Sequence, residues 1–215
     1  MKIVNGFDLM KYAQDHHYML PAFNTTNLEM TYAIAKGLNK AKLPGYIQIS
    51  SNNLRLSDPE AIVYLTKKAL ADSDVPIGLH LDHGKSYEDI KACVNAGFTS
   101  IMIDASHLPF EENVEKTKEL VAICNEKGMS IEAEVGSIGG EEDGVVGMGE
   151  CADPQECKAI ADLGVTMLAA GIGNIHGKYP ANWAGLQFDV LDDIQKLTGE
   201  MPLVLHGGTG IPEDM

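Results

Sequence analysis

Residues 77–84 read IGLHLDHG. Apolar and polar positions alternate through the stretch, which is the period of a β-strand. Alternation puts His80 and Asp82 on one face of a strand over 77–82, with His83 at its end where the chain turns. The same device recurs on either side. Short apolar, largely β-branched runs lie over 20–24, 46–50, 100–104, 130–135, 165–170 and 202–206. Between them the apolar residues recur at helical spacing, as in Val114, Thr117, Leu120, Val121 and Cys124, or in Ile90, Cys93, Val94 and Gly97. Helix starts are marked as well: Ser57–Glu60 (SDPE) reads as a capping box, and Asp153-Pro154 puts proline at the first helical position. Strands alternating with helices predict βαβ units and a parallel sheet.

Two architectures meet that pattern, a doubly wound open sheet and a (β/α)8 barrel. The first strand-turn-helix, PAFNTTNLEM (21–30), lacks the GxGxxG turn of dinucleotide-binding sheets. Asn24, Ser50, Asp82 with His83, Asp104, Glu134, His176 and His206 each fall at or just past the C-terminal end of a different predicted strand. In a barrel those ends converge on one face, where the active site is built. The expected fold is therefore α/β, a TIM (β/α)8 barrel in one domain over 1–215. Only seven strands are counted before Met215, so the eighth strand and C-terminal helices are expected to be lacking. Such a barrel would expose the edges of its first and last strands. Residues 1–215 made alone are expected to be poorly soluble and nearly inactive, unless they are part of a longer polypeptide.

Composition narrows the partners. The 215 residues carry 16 Lys and Arg against 31 Asp and Glu, a net charge of −15. That field repels nucleic acid and anionic membranes, so neither is expected as a partner. No apolar run approaches the length of a membrane span, and the N-terminus has no signal-peptide core. The four cysteines show no CxxC or finger spacing, which suits reduced thiols and a cytoplasmic location.

The chemistry concentrates in three motifs: HLDHG (80–84), GNIHGK (173–178) and LHGGTG (205–210). They place His83, His176 and His206 at the same end of three strands. Three imidazoles plus an open position form the ligand set of a catalytic zinc site. Any one of them alone would read as an ordinary loop or core histidine. The run Gly207–Gly210 exposes successive backbone N–H groups, an anion cradle that needs no net positive charge. The segment 136–149, GSIGGEEDGVVGMG, reads as a long irregular loop bearing Glu141, Glu142 and Asp143. Its glycines could let it close over a substrate.

Together with SIMIDASHLPFEEN (100–113), IEAEVGSIGGEEDG (131–144) and AAGIGNIHG (169–177), these motifs make the chain resemble the class II, metal-dependent ketose-bisphosphate aldolases. The resemblance runs from PAFN (21–24) to HGGTGIP (206–212). It implies reversible cleavage of a ketose 1,6-bisphosphate, fructose before tagatose, in cytoplasmic carbohydrate metabolism by a homodimer or larger homo-oligomer. It implies that His83, His176 and His206 hold catalytic zinc. Asp82 would be the acid/base at the hydroxyl, and Glu142 the loop carboxylate that moves the carbon-bound proton. Asp104 and Glu134 would form a second metal position, for a divalent or monovalent cation. Ser50, Gly177, Gly207, Gly208 and Thr209 would contact phosphate, and Asn24 the substrate. A Lewis-acid metal stabilising the enediolate, with a carboxylate beside one of its ligands, suits that chemistry. The alternatives are a Schiff-base aldolase using Lys178, a sugar-phosphate isomerase, and a non-catalytic metal- and phosphate-binding fragment.

Overall fold

Among the described residues, seven parallel strands follow one another in the order in which the chain makes them, most of them after a helix capped by a polar side chain. The computed structural model describes residues 3–142, 145–147, 149–199, 201–213 and 215. It divides into two compact units, residues 1–103 with 122–131, and 104–121 with 132–215.

The first unit contains α1 (Gly6–Asp15), β1 (Ala22–Asn24), α2 (Leu28–Ala41), β2 (Gly45–Ser50), α3 (Ser51–Leu54), α4 (Pro59–Ala69), β3 (Ile77–Gly84), α5 (Tyr87–Ala96) and β4 (Ser100–Ile103). It also holds the end of α6 (Phe110–Lys127) and the start of β5 (Ser130–Val135). Asn5, Asn27, Asp58 and Ser86 cap their helices by accepting from a backbone N–H two or three residues on, within the first turn. The cap before α4 is thus Asp58, not Ser57, because Pro59 takes the first helical position. Ile47, Ile49, Leu79, Leu81 and Ile101 are fully buried. Burial of β2 and β3 along their whole length is what a sheet covered on both faces requires.

Strand β3 runs two residues further than the sequence predicts. Its register on β4 shifts between Leu81 and Gly84, and His83 sits inside that irregularity with φ +47°. A bulge re-aims a side chain.

The second unit holds most of α6 and β5, then β6 (Gly139–Glu142), β7 (Val145–Gly147), α7 (Pro154–Ala161), β8 (Met167–Ala170), β9 (Ile175–His176), α8 (Phe188–Thr198), β10 (Leu203–Val204) and a 3-10 turn at Gly208–Gly210. Strand β8 pairs with both β5 and β10 in parallel. Among its described residues, the segment 136–149 contains two strands where an irregular loop is expected. Within it β6 and β7 form an antiparallel pair, and β6 also pairs with β9. Gly140 makes that second pairing possible: at φ +94°, a Cβ there would lie 1.9 Å from the His176 carbonyl oxygen.

The pairing order is β1-β2-β3-β4-β5-β8-β10, with no reversal. A doubly wound sheet reverses its order at a switch point, so the open-sheet alternative fails and the barrel-type α/β fold stands. No helix among the described residues is long and apolar enough to cross a membrane.

Candidate active site

In the first unit the register sets Asn24 beside Gln48, Gln48 beside His80, and His80 beside Ser100. In-register residues of parallel strands share a face, so this is a polar row across four strands. Gln48 Nε2 donates to Asn24 Oδ1 at 2.9 Å, and Asn24 Nδ2 donates to Asp82 Oδ2 at 2.7 Å. His80 Nδ1 and Ser100 Oγ share a hydrogen bond at 2.7 Å. Asp82 is 2% exposed, and its carboxylate is aimed by a side-chain amide that is itself held by a neighbour.

His83 follows at once, 5% exposed and in the left-handed region. For a residue other than glycine that geometry costs on the order of 1–3 kcal/mol and persists only where surroundings enforce it. Here its N–H meets Met102 Sδ at 3.4 Å, and its carbonyl accepts from Ser51 Oγ at 2.9 Å. Ser50 ends β2 and caps α3, its hydroxyl 3.5 Å from Asn53 N.

The second unit brings together two further groups. Ring nitrogens of His176 and His206 lie within 4.8 Å of one another, and the rings meet edge-on with centroids 5.8 Å apart. His206 Nε2 is 2.8 Å from Oε1 of Glu132, which is 2% exposed. A buried carboxylate on one ring nitrogen fixes the tautomer and turns the other nitrogen to a metal. The backbone at His206 is tied as well: Asn174 Nδ2 donates to its carbonyl at 3.0 Å. Gly207 follows at φ +68°, where a Cβ would lie 2.1 Å from the Ile175 carbonyl oxygen.

The other group is a carboxylate pair. Ser106 Oγ lies 3.1 Å from Asp104 Oδ1 and 2.9 Å from Glu134 Oε1, and Ile138 N–H donates to the same Glu134 oxygen at 3.2 Å. Beside it a cavity of about 200 Å3 opens between Ser106, Phe110, Asn113, Glu150 and Glu156. None of the predicted ligands lines it. The carboxyl of Glu156 is raised above the usual carboxylate range, first by burial and then by Asp153 and Glu111.

Residues 4–215 match the family model of class-II fructose-bisphosphate aldolases. This chain belongs to that family. A fructose-bisphosphate aldolase of Mycoplasma pneumoniae is 48% identical over 214 residues, covering 98% of this chain and 74% of that one. One from Streptococcus pyogenes serotype M1 is 46% identical over 217 residues, covering all of this chain and 74% of its own. Among solved structures, a Coccidioides immitis protein provisionally named a fructose-1,6-bisphosphate aldolase superposes with a TM-score of 0.87 at 36% identity. It covers 96% of this chain and 74% of that one. The YdjI aldolase of Escherichia coli K12 does so with 0.80 at 28% identity, over 98% and 74%.

Within this class-II aldolase, an enzyme of a carbon–carbon lyase family, the sequence-predicted residues fall into the clusters just described. Asn24 and Asp82 are in contact, Asp104 and Glu134 share Ser106, and His176 adjoins His206. Gly207, Gly208 and Thr209 form the 3-10 turn and its left-handed entry. Gly177 leads out of β9 at φ +83°, and Lys178 beyond it is exposed. The side chain of Glu142, like Asp143, lies outside the described residues.

Sequence reasoning missed Gln48, Ser106 and Glu132. The signal for Glu132 was present: alternation in IEAEV puts it on the same strand face as Glu134.

Proposed function

We propose that this chain cleaves fructose 1,6-bisphosphate reversibly to dihydroxyacetone phosphate and glyceraldehyde 3-phosphate, with a zinc ion held by His83, His176 and His206. The observation that carries the reading is the His176–His206 pair backed by buried Glu132, in a chain of this family. The donor set fits zinc: neutral imidazoles with a carboxylate behind one of them, near the end of a parallel sheet's strands. His83, set by its bulge at the end of β3, supplies the third imidazole. When bound, such an ion supplies a Lewis acid for the ketose carbonyl and the adjacent hydroxyl.

The remaining work falls to the chain's own groups. Asp82, next in sequence to a ligand and held by Asn24, takes the proton of the hydroxyl β to the carbonyl as the carbon–carbon bond breaks, and returns it in condensation. Glu142 delivers and removes the carbon-bound proton of the dihydroxyacetone phosphate half. The backbone amides of Gly207, Gly208 and Thr209, with Gly177 and Ser50, receive a phosphate without a cationic side chain. Asp104 and Glu134, two carboxylates converging on one hydroxyl, hold a second cation. The reaction is one of cytoplasmic sugar-phosphate breakdown, and residues 1–215 belong to a single aldolase barrel domain.

Turnover tests this directly. Zinc-loaded protein should cleave fructose 1,6-bisphosphate faster than tagatose 1,6-bisphosphate, lose activity to a chelator and regain it with zinc. Activity that survives the chelator, together with covalent trapping of substrate by borohydride, would move the chemistry to Lys178.

A further inference from the structure

We infer that Tyr179 is a positioning residue of this site: its hydroxyl fixes the strand carrying His176 and the turn carrying His206 relative to one another. The inference rests on the reading of those histidines as metal ligands and of the turn after His206 as a phosphate cradle. Tyr179 lies in HGKYP (176–180), three residues beyond His176.

A phenol can accept one hydrogen bond and donate another, and this one does both. It accepts from Ile175 N–H at 3.1 Å and donates to the Gly207 carbonyl at 3.0 Å. Ile175 immediately precedes His176, and Gly207 immediately follows His206. One oxygen thus grips the backbone one residue away from each of two ligands.

The ring is held so that the hydroxyl cannot swing. It packs against Trp183 at a centroid distance of 4.2 Å, and Trp183 Nε1 donates to the Gly173 carbonyl at 2.7 Å. Both ends of the 173–183 loop are thereby closed on the aromatic pair. The ring also lines the cradle: a Cβ on Gly210 would meet Tyr179 Cδ2 at 2.5 Å. Glu132 orients the imidazole of His206, Asn174 ties its carbonyl, and Tyr179 couples its turn to His176. With three ties in place, loss of one hydroxyl loosens the geometry without unmaking the fold.

The variant to make is Tyr179→Phe, which keeps the ring and removes both hydrogen bonds. Zinc affinity would be measured by competition with a chromophoric chelator, alongside circular dichroism and steady-state kinetics on fructose 1,6-bisphosphate. The expected result is a folded protein whose zinc affinity falls about tenfold or more, the range seen when groups behind metal ligands are removed. KM should rise more than kcat falls, because the phosphate turn is displaced with the ligand. Trp183→Phe, which releases Gly173 but leaves the hydroxyl, should shift both in the same direction by less. It carries the test should Tyr179→Phe fail to fold. Wild-type zinc affinity and KM in the folded variants would overturn the inference alone. A wild-type protein that binds no zinc and turns over no ketose bisphosphate would overturn the underlying reading, and this inference with it.

Discussion

Burial pushes the thiols of Cys93, Cys124 and Cys157 up to about 12, with Asp89 adding to the first and Asp153 and Glu156 to the last. The thiolate is the reactive form, so these three are inert in the folded chain, whereas Cys151 is exposed. Brief treatment of native protein with iodoacetamide should therefore add one label, on Cys151, and denaturation should add the other three. Mass spectrometry of tryptic peptides reads the result. A second residue-scale expectation concerns Glu132. Glu132→Gln keeps the shape of the contact with His206 but removes its charge, and zinc affinity should fall about ten- to hundredfold. A chelator titration at fixed pH measures it. The nearness of His176 to His206 was legible because each stands beside glycine at or just past the end of a predicted strand. Gln48 was not, and although alternation put Glu132 on the face of Glu134, its contact with His206 shows only once neighbouring strands are in register.

Strand order and the Asp153-Pro154 helix start were open to reading at the scale of elements, the cap of α4 lies one residue past the predicted one, and irregular pairing was not legible. Asp58, whose carboxylate accepts from Ala61 N–H at 2.7 Å, should cost about 1 kcal/mol when replaced by alanine. Urea midpoints of the two proteins would show it. The turn after His206 is less forgiving. Gly207→Ala forces a side chain into the left-handed region, on the order of 1–3 kcal/mol, and drives its Cβ into the Ile175 carbonyl besides. Its urea midpoint should drop well below that of Asp58→Ala, and phosphate binding should weaken with it. The β6–β7 pair escaped the sequence because glycines interrupt the alternation that marks a strand, and its pairing with β9 joins residues more than thirty positions apart. The extension of β3 to Gly84 escaped for a related reason. A left-handed histidine reads as the end of a strand, yet Gly84 still pairs with Ile103.

For the whole molecule, the parallel strand order follows chain order, as the alternation of strands and helices implied. The seven sheet strands were all legible, since each is an apolar run bounded by turn residues. Their ends shifted by a few residues because pairing partners, not propensity, decide where a strand stops. A metal held by the folded chain and not by the unfolded one stabilises it in proportion to the logarithm of its concentration, about 2.7 kcal/mol at a hundred times the dissociation constant. Chelation should thus lower the melting temperature of the wild-type protein and leave that of His176→Ala unchanged, as read by differential scanning calorimetry. The central claim is that three histidines hold one catalytic ion while Asp82 acts beside it. Its most direct test is zinc stoichiometry, by plasma mass spectrometry, across wild type, His83→Ala, His176→Ala, His206→Ala and Asp82→Ala. The account predicts one tightly held zinc per chain in the wild type and in inactive Asp82→Ala, and none in the three histidine variants. Stoichiometric zinc retained in His176→Ala, or lost from folded Asp82→Ala, would contradict it.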